Sequence, residues 1–151
     1  ASARVSDLRP VDALVDALCA RDYGALGALL RPDARLRALA PEGLVEEPGR
    51  ERVVARFRAW YDDATRLEVL EARAEPFHGR AFAAWSFRLH GRDGLPRRVA
   101  QRAFLDVRGG LVARVDVLGS GLLDEAREGD AAAPDARASG CGRAARRTWR
   151  P

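Results

Sequence analysis

The sequence predicts an α+β fold in which helices cover one face of a curved antiparallel sheet. Apolar residues recur with helical spacing in the N-terminal part of the chain, before residue 63. Three segments with strand-like alternation then follow one another, at residues 81–90, 97–107 and 111–118. Helices grouped before strands are typical of a domain whose helices all lie on one side of its sheet.

The strand prediction is clearest for residues 81–90. Apolar side chains alternate there with their neighbours in the period of two of a half-buried strand: Ala83, Trp85, Phe87 and Leu89. Glycines at residues 91, 94, 109 and 110 indicate turns between the three segments. Residues 65–75 are predicted to form a further strand, but their blurred alternation leaves open whether Leu70 or Glu71 faces inward.

Three helices are predicted before these strands. Residues 11–20 place four apolar side chains on one helical face: Val11, Leu14, Val15 and Leu18. Asp22 can cap a second short helix that runs to residue 30. A short strand at residues 34–39 and a loop at residues 41–49 lead to a third helix over residues 50–62.

Composition limits the classes of function. The sequence has no Lys, Ile, Asn or Met, which indicates a high-GC genome, so an Arg here is not by itself a sign of anion binding. The net charge of +4 comes from the C-terminal end, because residues 136–151 hold five Arg and no acid. The remaining 21 Arg and 22 acidic residues nearly balance, which argues against specific nucleic-acid binding.

No segment has the signature of a cofactor or metal site. The two Cys and two His lack metal-ligand spacing, and phosphate-loop and nucleophile-elbow motifs are missing from the sequence. We therefore predict no cofactor and no metal. No run reaches the ~18 apolar residues of a membrane span, so we expect no membrane partner and a cytoplasmic location.

Four short stretches resemble the nuclear transport factor 2-like superfamily, and its polyketide-cyclase-like (SnoaL-like) members in particular. They are Asp22-Tyr23-Gly24-Ala25-Leu26, Leu30-Arg31-Pro32-Asp33-Ala34, Gly49-Arg50-Glu51 and Gly110-Leu111-Val112-Ala113-Arg114-Val115. The resemblance covers residues 8–123 and implies a cone-shaped (cystatin-like) barrel with an internal pocket. We expect a domain at residues 1–123, followed by a disordered Arg-rich tail at residues 124–151.

The resemblance does not carry over the catalytic residues of related enzymes. The positions that match the acid and base groups of ketosteroid isomerases hold Leu14, Ala38 and Arg102. None of these side chains exchanges a proton near neutral pH. The Asp-Arg-Asp set of limonene-epoxide-hydrolase-like members is also missing: the matching inward strand positions are apolar, and Gly119-Ser120 ends the last strand.

Strand parity counted back from Gly110 predicts that Arg102 points into the pocket. A guanidinium in such a place needs an internal carboxylate, the pocket mouth or an anionic ligand. Pairing with Glu71 and an outward orientation stay open as alternatives, as does the possibility that the aromatic residues simply fill the core. The predicted pocket lining is Arg102, Leu14, Ala38, Phe57, Trp60, Trp85, Phe87, Phe104, Val115 and Val117.

These observations favour a small-molecule-binding domain with a polar or anionic ligand. The alternatives are an isomerase, cyclase or hydrolase that uses Arg102 to stabilise an oxyanion, and a protein-interaction module. We also expect a homodimer through the outer face of the sheet, which would carry Phe82, Ala84, Ser86, Ala103, Leu105 and Leu118, with Arg88, Arg114 and Asp116 among them.

Overall fold

The computed structural model describes residues 7–125. Its helices are α1 (Arg9–Ala20), α2 (Tyr23–Ala28) and α3 (Arg50–Tyr61). Its strands are β1 (Leu30–Ala40), β2 (Gly43–Pro48), β3 (Arg66–Phe77), β4 (Arg80–His90), β5 (Pro96–Arg108), β6 (Leu111–Gly119) and β7 (Leu123–Asp124). The tail predicted for residues 124–151 lies outside the described residues from residue 126 onward.

The six long strands form one curved sheet in the order β2-β1-β6-β5-β4-β3. Neighbouring strands are antiparallel except β1 and β6, which are parallel. The short β7 pairs with the start of β5. Because β2 and β3 remain edges, the sheet is open and its concave face receives the helices. This architecture confirms the predicted α+β class.

Local sequence explains where α1 ends and α2 begins. Pro10 lies in the first turn of α1, where its missing N–H has no partner to lose. Arg21 ends the helix in the left-handed conformation, with φ of 51°. Asp22 then caps α2, because its carboxylate accepts a hydrogen bond from the Ala25 amide at 3.0 Å. Two residues, Arg21 and Asp22, thus suffice to join the two helices.

The segment after β1 differs from the sequence prediction. Residues 41–49 are predicted as a loop, but residues 43–48 form the edge strand β2, which pairs antiparallel with β1. In β2 only Val45 and Glu47 are partly buried. An edge strand with one wet face and acidic residues lacks the strong alternation by which a strand is found in a sequence.

A register shift between Val69 and Glu71 explains the blurred alternation of β3. The shift disturbs the strict period of two, so one parity cannot describe the whole strand. After it, Glu71 lies opposite Ser86. Both side chains lie on the outer, convex face of the sheet, where they are 3.3 Å apart.

The core lies between the helices and the concave face of the sheet. Its largest fully buried side chains include Trp85, Tyr61, Phe57 and Phe87. The rings make edge contacts, with centroid distances of 6.3 Å for Phe57 and Trp85 and 5.2 Å for Tyr61 and Phe87. Aromatic residues therefore fill much of the volume that the sequence assigns to a pocket.

No helix in residues 7–125 has the length and apolar character to cross a bilayer.

Candidate functional site

The structure brings most of the predicted pocket residues together. Seven of them are buried in the core: Leu14, Ala38, Phe57, Trp85, Phe87, Val115 and Val117. Trp60 is partly buried at the margin and meets Phe57 edge to face at 5.4 Å. The inward parity predicted for β4 is correct, since Ala83, Trp85, Phe87 and Leu89 are all buried.

Arg102 does not point into the interior, and the prediction that it does is wrong. Its side chain lies on the outer face, 40% exposed, and its Nη2 atom is 2.9 Å from Glu71 Oε2. This is the Glu71 pairing that the sequence left open. Placing the guanidinium outside avoids the cost of burying a charge. Phe104 has the same parity and is also outside, beside Phe77 and Phe82 at 5.2 and 5.6 Å.

A β-bulge causes this error. The register of β5 and β6 shifts between Asp106 and Val107. The extra residue, Ala113, lies on β6. A register counted from the Gly109-Gly110 turn without it would place Arg102 opposite the inward Val117, whereas Arg102 lies opposite the outward Leu118. Ala103 and Leu105, predicted for the outer face, are for the same reason fully buried inside.

The correct parity brings a different polar residue inside. Gln101 on β5 is 5% exposed, and the only other buried polar or charged residue in the described part is Ser86 on the outer face. The indole Nε1–H of Trp85 donates to Gln101 Oε1 at 2.8 Å and approaches the Tyr61 hydroxyl at 3.1 Å. The Tyr61 hydroxyl also donates to Gln101 Oε1. We call Tyr61, Trp85 and Gln101 the inner polar cluster.

The hydrogen bonds of the inner polar cluster fix the orientation of the Gln101 amide. An indole N–H can only donate, so the amide oxygen has to face Trp85. The Nε2 group then points the other way, towards Gly119 at the end of β6. A Cβ atom placed on Gly119 would lie 3.6 Å from Gln101 Nε2. No hydrogen bond within residues 7–125 uses this NH2 group, so it remains available as a donor.

Tyr61 is held in place by the end of α1. The Arg21 guanidinium donates to the Tyr61 carbonyl at 3.0 Å and to the Ala64 carbonyl at 2.6 Å. These bonds satisfy carbonyl groups at the C-terminal end of α3. Burial raises the pKa of the Tyr61 hydroxyl well above its usual value of 10. The hydroxyl therefore remains protonated at neutral pH and acts as a donor.

Two surface grooves lie away from the inner polar cluster. A groove of about 800 Å³ runs between α2 and α3 and is lined partly by Tyr23, Gly27, Val54 and Arg58. A second groove of about 650 Å³, which we call the basic groove, lies over the starts of β1 and β6 and beside β2. Its charged lining residues are Arg31, Asp33, Arg35, Arg37, Glu46, Glu47, Arg108 and Arg114.

Neither histidine belongs to the inner polar cluster. His78 lies in the exposed turn between β3 and β4 with φ of 43°. His90 ends β4, where its Nε2 atom is 3.0 Å from Arg66 Nη2 and 3.6 Å from a Glu68 oxygen. Among residues 7–125, no three His, Cys, Asp or Glu side chains are grouped so that they could hold a metal ion.

Sequence reasoning missed Tyr61 and Gln101. Between residues 98 and 107 of β5, one set of alternating residues contains Arg98, Arg102 and Asp106, whereas the other contains Gln101 and otherwise apolar residues. The charged set belongs outside, since burying three charges is far more costly than burying one amide. That comparison within the strand identifies Gln101, whereas counting from a distant turn does not.

Comparison with known families agrees with this geometry. The family model for the SnoaL-like domain matches residues 11–115 of the chain. The chain belongs to the SnoaL-like family. A comparison of this SnoaL-like protein with curated proteins finds no match.

Solved structures resemble the SnoaL-like protein at the level of the fold. A Catenulispora acidiphila protein with a ketosteroid isomerase-like fold, solved in complex with trimethylamine, is 20% identical with a TM-score of 0.61. The match covers 74% of this chain and 85% of that one. An M. tuberculosis LEH-like epoxide hydrolase is 16% identical with a TM-score of 0.56, over 75% of this chain and 81% of that one.

A third similar structure is a cystatin-fold protein from Novosphingobium aromaticivorans. It is 19% identical, with a TM-score of 0.58, and the match covers 73% of this chain and 95% of that one. Of these three structures, the M. tuberculosis protein alone is named for an activity, so the similarity shows a shared architecture and not a shared chemistry.

Proposed function

We propose that this SnoaL-like protein binds a small polar or anionic molecule whose acceptor atom meets Gln101 Nε2. The observation that carries the proposal is an oriented amide donor without a partner at the edge of an apolar interior. A ligand carbonyl or carboxylate oxygen would supply the missing acceptor. Small apolar sites with a few placed polar groups are typical of small-molecule recognition.

The inner polar cluster supports binding rather than proton transfer. No acidic residue and no histidine is buried within residues 7–125. Tyr61 does not serve as a base at neutral pH, because its pKa is raised. The cluster therefore offers hydrogen bonds to a ligand but no group that both takes up and releases a proton. The alternative in which Arg102 stabilises an oxyanion loses its basis, since Arg102 is paired with Glu71 outside.

Gly119 would give the ligand access to the amide. It ends β6 beside Gln101, and apart from its chain neighbours the three atoms nearest to a Cβ placed on it are Gln101 Nε2, Gln101 Cγ and the Leu39 carbonyl oxygen. All three of these contacts are at 3.6–3.9 Å, so a methyl group fits but a larger side chain would occupy the space in front of Nε2. A bulky residue at this position is therefore a direct way to block the proposed site.

A thermal-shift screen tests the proposal with the full chain. Small ketones, carboxylic acids and amides form the panel, because each presents the acceptor that Gln101 Nε2 requires. A bound ligand at 100 times its Kd stabilises by about 2.7 kcal/mol, a shift of several degrees in Tm. Hits should lose their shift in Gly119→Val and keep it in Arg92→Gln, a change on the exposed β4–β5 turn. Hits that persist in Gly119→Val would contradict the site.

We also propose that the protein forms a homodimer through the outer face of the sheet. Leu44, Leu39 and Leu118 lie in a row across β2, β1 and β6, as direct cross-strand partners. They are 55%, 52% and 60% exposed. An apolar row of this kind is costly to leave in water, and a second copy of the same row would cover it. Leu39 and Leu44 extend the surface predicted from the sequence, whereas Ala103 and Leu105 leave it.

A further inference from the structure

Arginines on the outer face mostly have carboxylate partners. Arg80 lies 2.6 Å from Asp106 and 2.8 Å from Asp116, and Arg102 is paired with Glu71. Much of the positive charge on β3 to β6 is thereby neutralised within the face. The high Arg content of the sequence is thus accommodated by local pairing and does not by itself indicate a ligand.

The basic groove departs from this pattern at Arg35. Arg35 is exposed and makes no ion pair or hydrogen bond to a carboxylate in the described part of the chain. Its cross-strand partner on β6 is Arg114, a like charge in direct register, and its partner on β2 is Pro48. Arg114 itself is paired with Asp116 at 3.2 Å. Arg35 is therefore the member of this cross-strand pair whose charge has no carboxylate partner in residues 7–125.

The acids that line the basic groove do not correct this imbalance. Glu46 is engaged by Arg37 at 3.0 Å. Glu47 points the other way and accepts a hydrogen bond from Arg56 Nε at 3.0 Å. Asp33 is engaged by Arg31 at 3.0 Å. Each nearby carboxylate therefore already serves another arginine.

Arg108 adds a second arginine without an ion pair in residues 7–125. It ends β5 and lines the same groove as Arg35. Asp33 on the same groove is engaged by Arg31, whose hydrogen bond holds the pKa of the Asp33 carboxyl below its usual value.

From this arrangement we infer that the basic groove binds a small multivalent anion through Arg35 and Arg108. The chemical class is a compound with a phosphate, diphosphate or dicarboxylate group, which a planar guanidinium binds with two parallel hydrogen bonds. The groove of about 650 Å³ suits a small molecule. The inference is independent of the ligand proposed for Gln101, because Gln101 does not line this groove.

Calorimetric titration of the full chain with inorganic pyrophosphate tests the inference. The wild type should bind one equivalent. Arg35→Gln and Arg108→Gln should each weaken binding about tenfold or more, since each removes charge-assisted hydrogen bonds to the anion. Both side chains are exposed, so the fold should be unaffected and circular dichroism can verify this.

Arg92→Gln is the matched control, because it removes the same charge from an exposed position outside the groove. It should bind pyrophosphate as the wild type does. Absence of binding to the wild type would overturn the inference. Equal weakening in all three variants would overturn it too, since it would show nonspecific attraction by net charge. Unchanged binding in Arg35→Gln and Arg108→Gln would place the anion elsewhere, for example on the Arg-rich residues 136–151.

Discussion

Trp85 and Gln101 are direct cross-strand partners on the concave face of the sheet, and the indole Nε1–H of one donates to the amide oxygen of the other at 2.8 Å. This bond turns the Gln101 NH2 group away from the aromatic core. An amide that would otherwise be free to flip is thereby given one orientation. The interior consequently presents a donor, and not an acceptor, towards Gly119.

Gln101→Leu should lower the free energy of unfolding. The substitution removes the acceptor of the Tyr61 hydroxyl and one of the two acceptors of the Trp85 N–H, and leaving a buried donor without a partner costs about 1–3 kcal/mol. Urea denaturation measures the change. Trp85→Phe in the same background completes a double-mutant cycle, and we expect a coupling of about 0.5–3 kcal/mol between the two residues. Additive effects would mean that the bond contributes nothing of its own.

Arg102→Leu should change stability by less than about 1 kcal/mol, because the pair with Glu71 is partly exposed and screened by solvent. Glu71 retains Arg73, whose Nε lies 3.2 Å away. Binding of any hit from the thermal-shift screen should also be unchanged, since Arg102 is outside. Loss of ligand binding in Arg102→Leu would show that Arg102 takes part in the binding site, and would contradict its placement on the outer face.

Glu71 should contribute a pH-dependent stability. Burial alone would raise the pKa of its carboxyl, but the hydrogen bond from Arg73 and the charge of Arg102 outweigh burial, so the pKa lies below its usual value of 4.5. A group with a lowered folded-state pKa stabilises the protein above its unfolded pKa, and the contribution is lost as pH falls through the folded value. Wild type should therefore exceed Glu71→Gln in stability at neutral pH.

Below pH 4.5 the difference between wild type and Glu71→Gln should shrink towards zero. Urea denaturation over this range of pH measures it. Glu42→Gln is a control with the same charge change, at an exposed position without an ion pair in residues 7–125. A difference that stays constant with pH would contradict the assignment of the lowered pKa to the folded state.

Leu39→Glu or Leu118→Glu should dissociate the proposed homodimer. Each substitution places a charge in the leucine row, at its centre for Leu39 and at its β6 end for Leu118, where burying the charge against a second copy is costly. Sedimentation velocity should show twice the 16.5 kDa of the chain for the wild type and a single chain for either variant. Leu95→Glu is the matched control, because Leu95 is 42% exposed but lies on the β4–β5 turn. A wild-type monomer would contradict the proposal.

Much of the fold could be predicted from the sequence because its signals are local. The helix pattern around Leu14, the cap at Asp22 and the alternation around Trp85 each depend on neighbouring residues only. The edge strand β2 could not be found in this way. Its formation depends on pairing with β1, and an exposed edge needs little apolar alternation.

The candidate site was harder to predict because a register counted from a turn is wrong beyond a bulge. β6 carries an extra residue between Val112 and Arg114, so the pairing expected from the turn gave Arg102 and not Gln101 as the inward polar residue. The partners of Gln101 come from β4 and from the end of α3, which are distant in sequence. A hydrogen-bonded cluster of this kind has no spacing motif, so its members emerge only when the strands are in register.

The most direct test of the proposed binding site is the side-chain amide signal of Gln101 in a ¹⁵N-correlated NMR spectrum. The sequence has a single Gln and no Asn, so the Nε2 group gives the only carboxamide pair and needs no further assignment. Titration with a hit from the thermal-shift screen should change the chemical shifts of this pair, because the ligand oxygen accepts a hydrogen bond from the NH2 group. The Kd from this titration should equal the Kd from the thermal-shift measurement. A pair that stays in place while the hit still stabilises the protein would show that the ligand binds elsewhere.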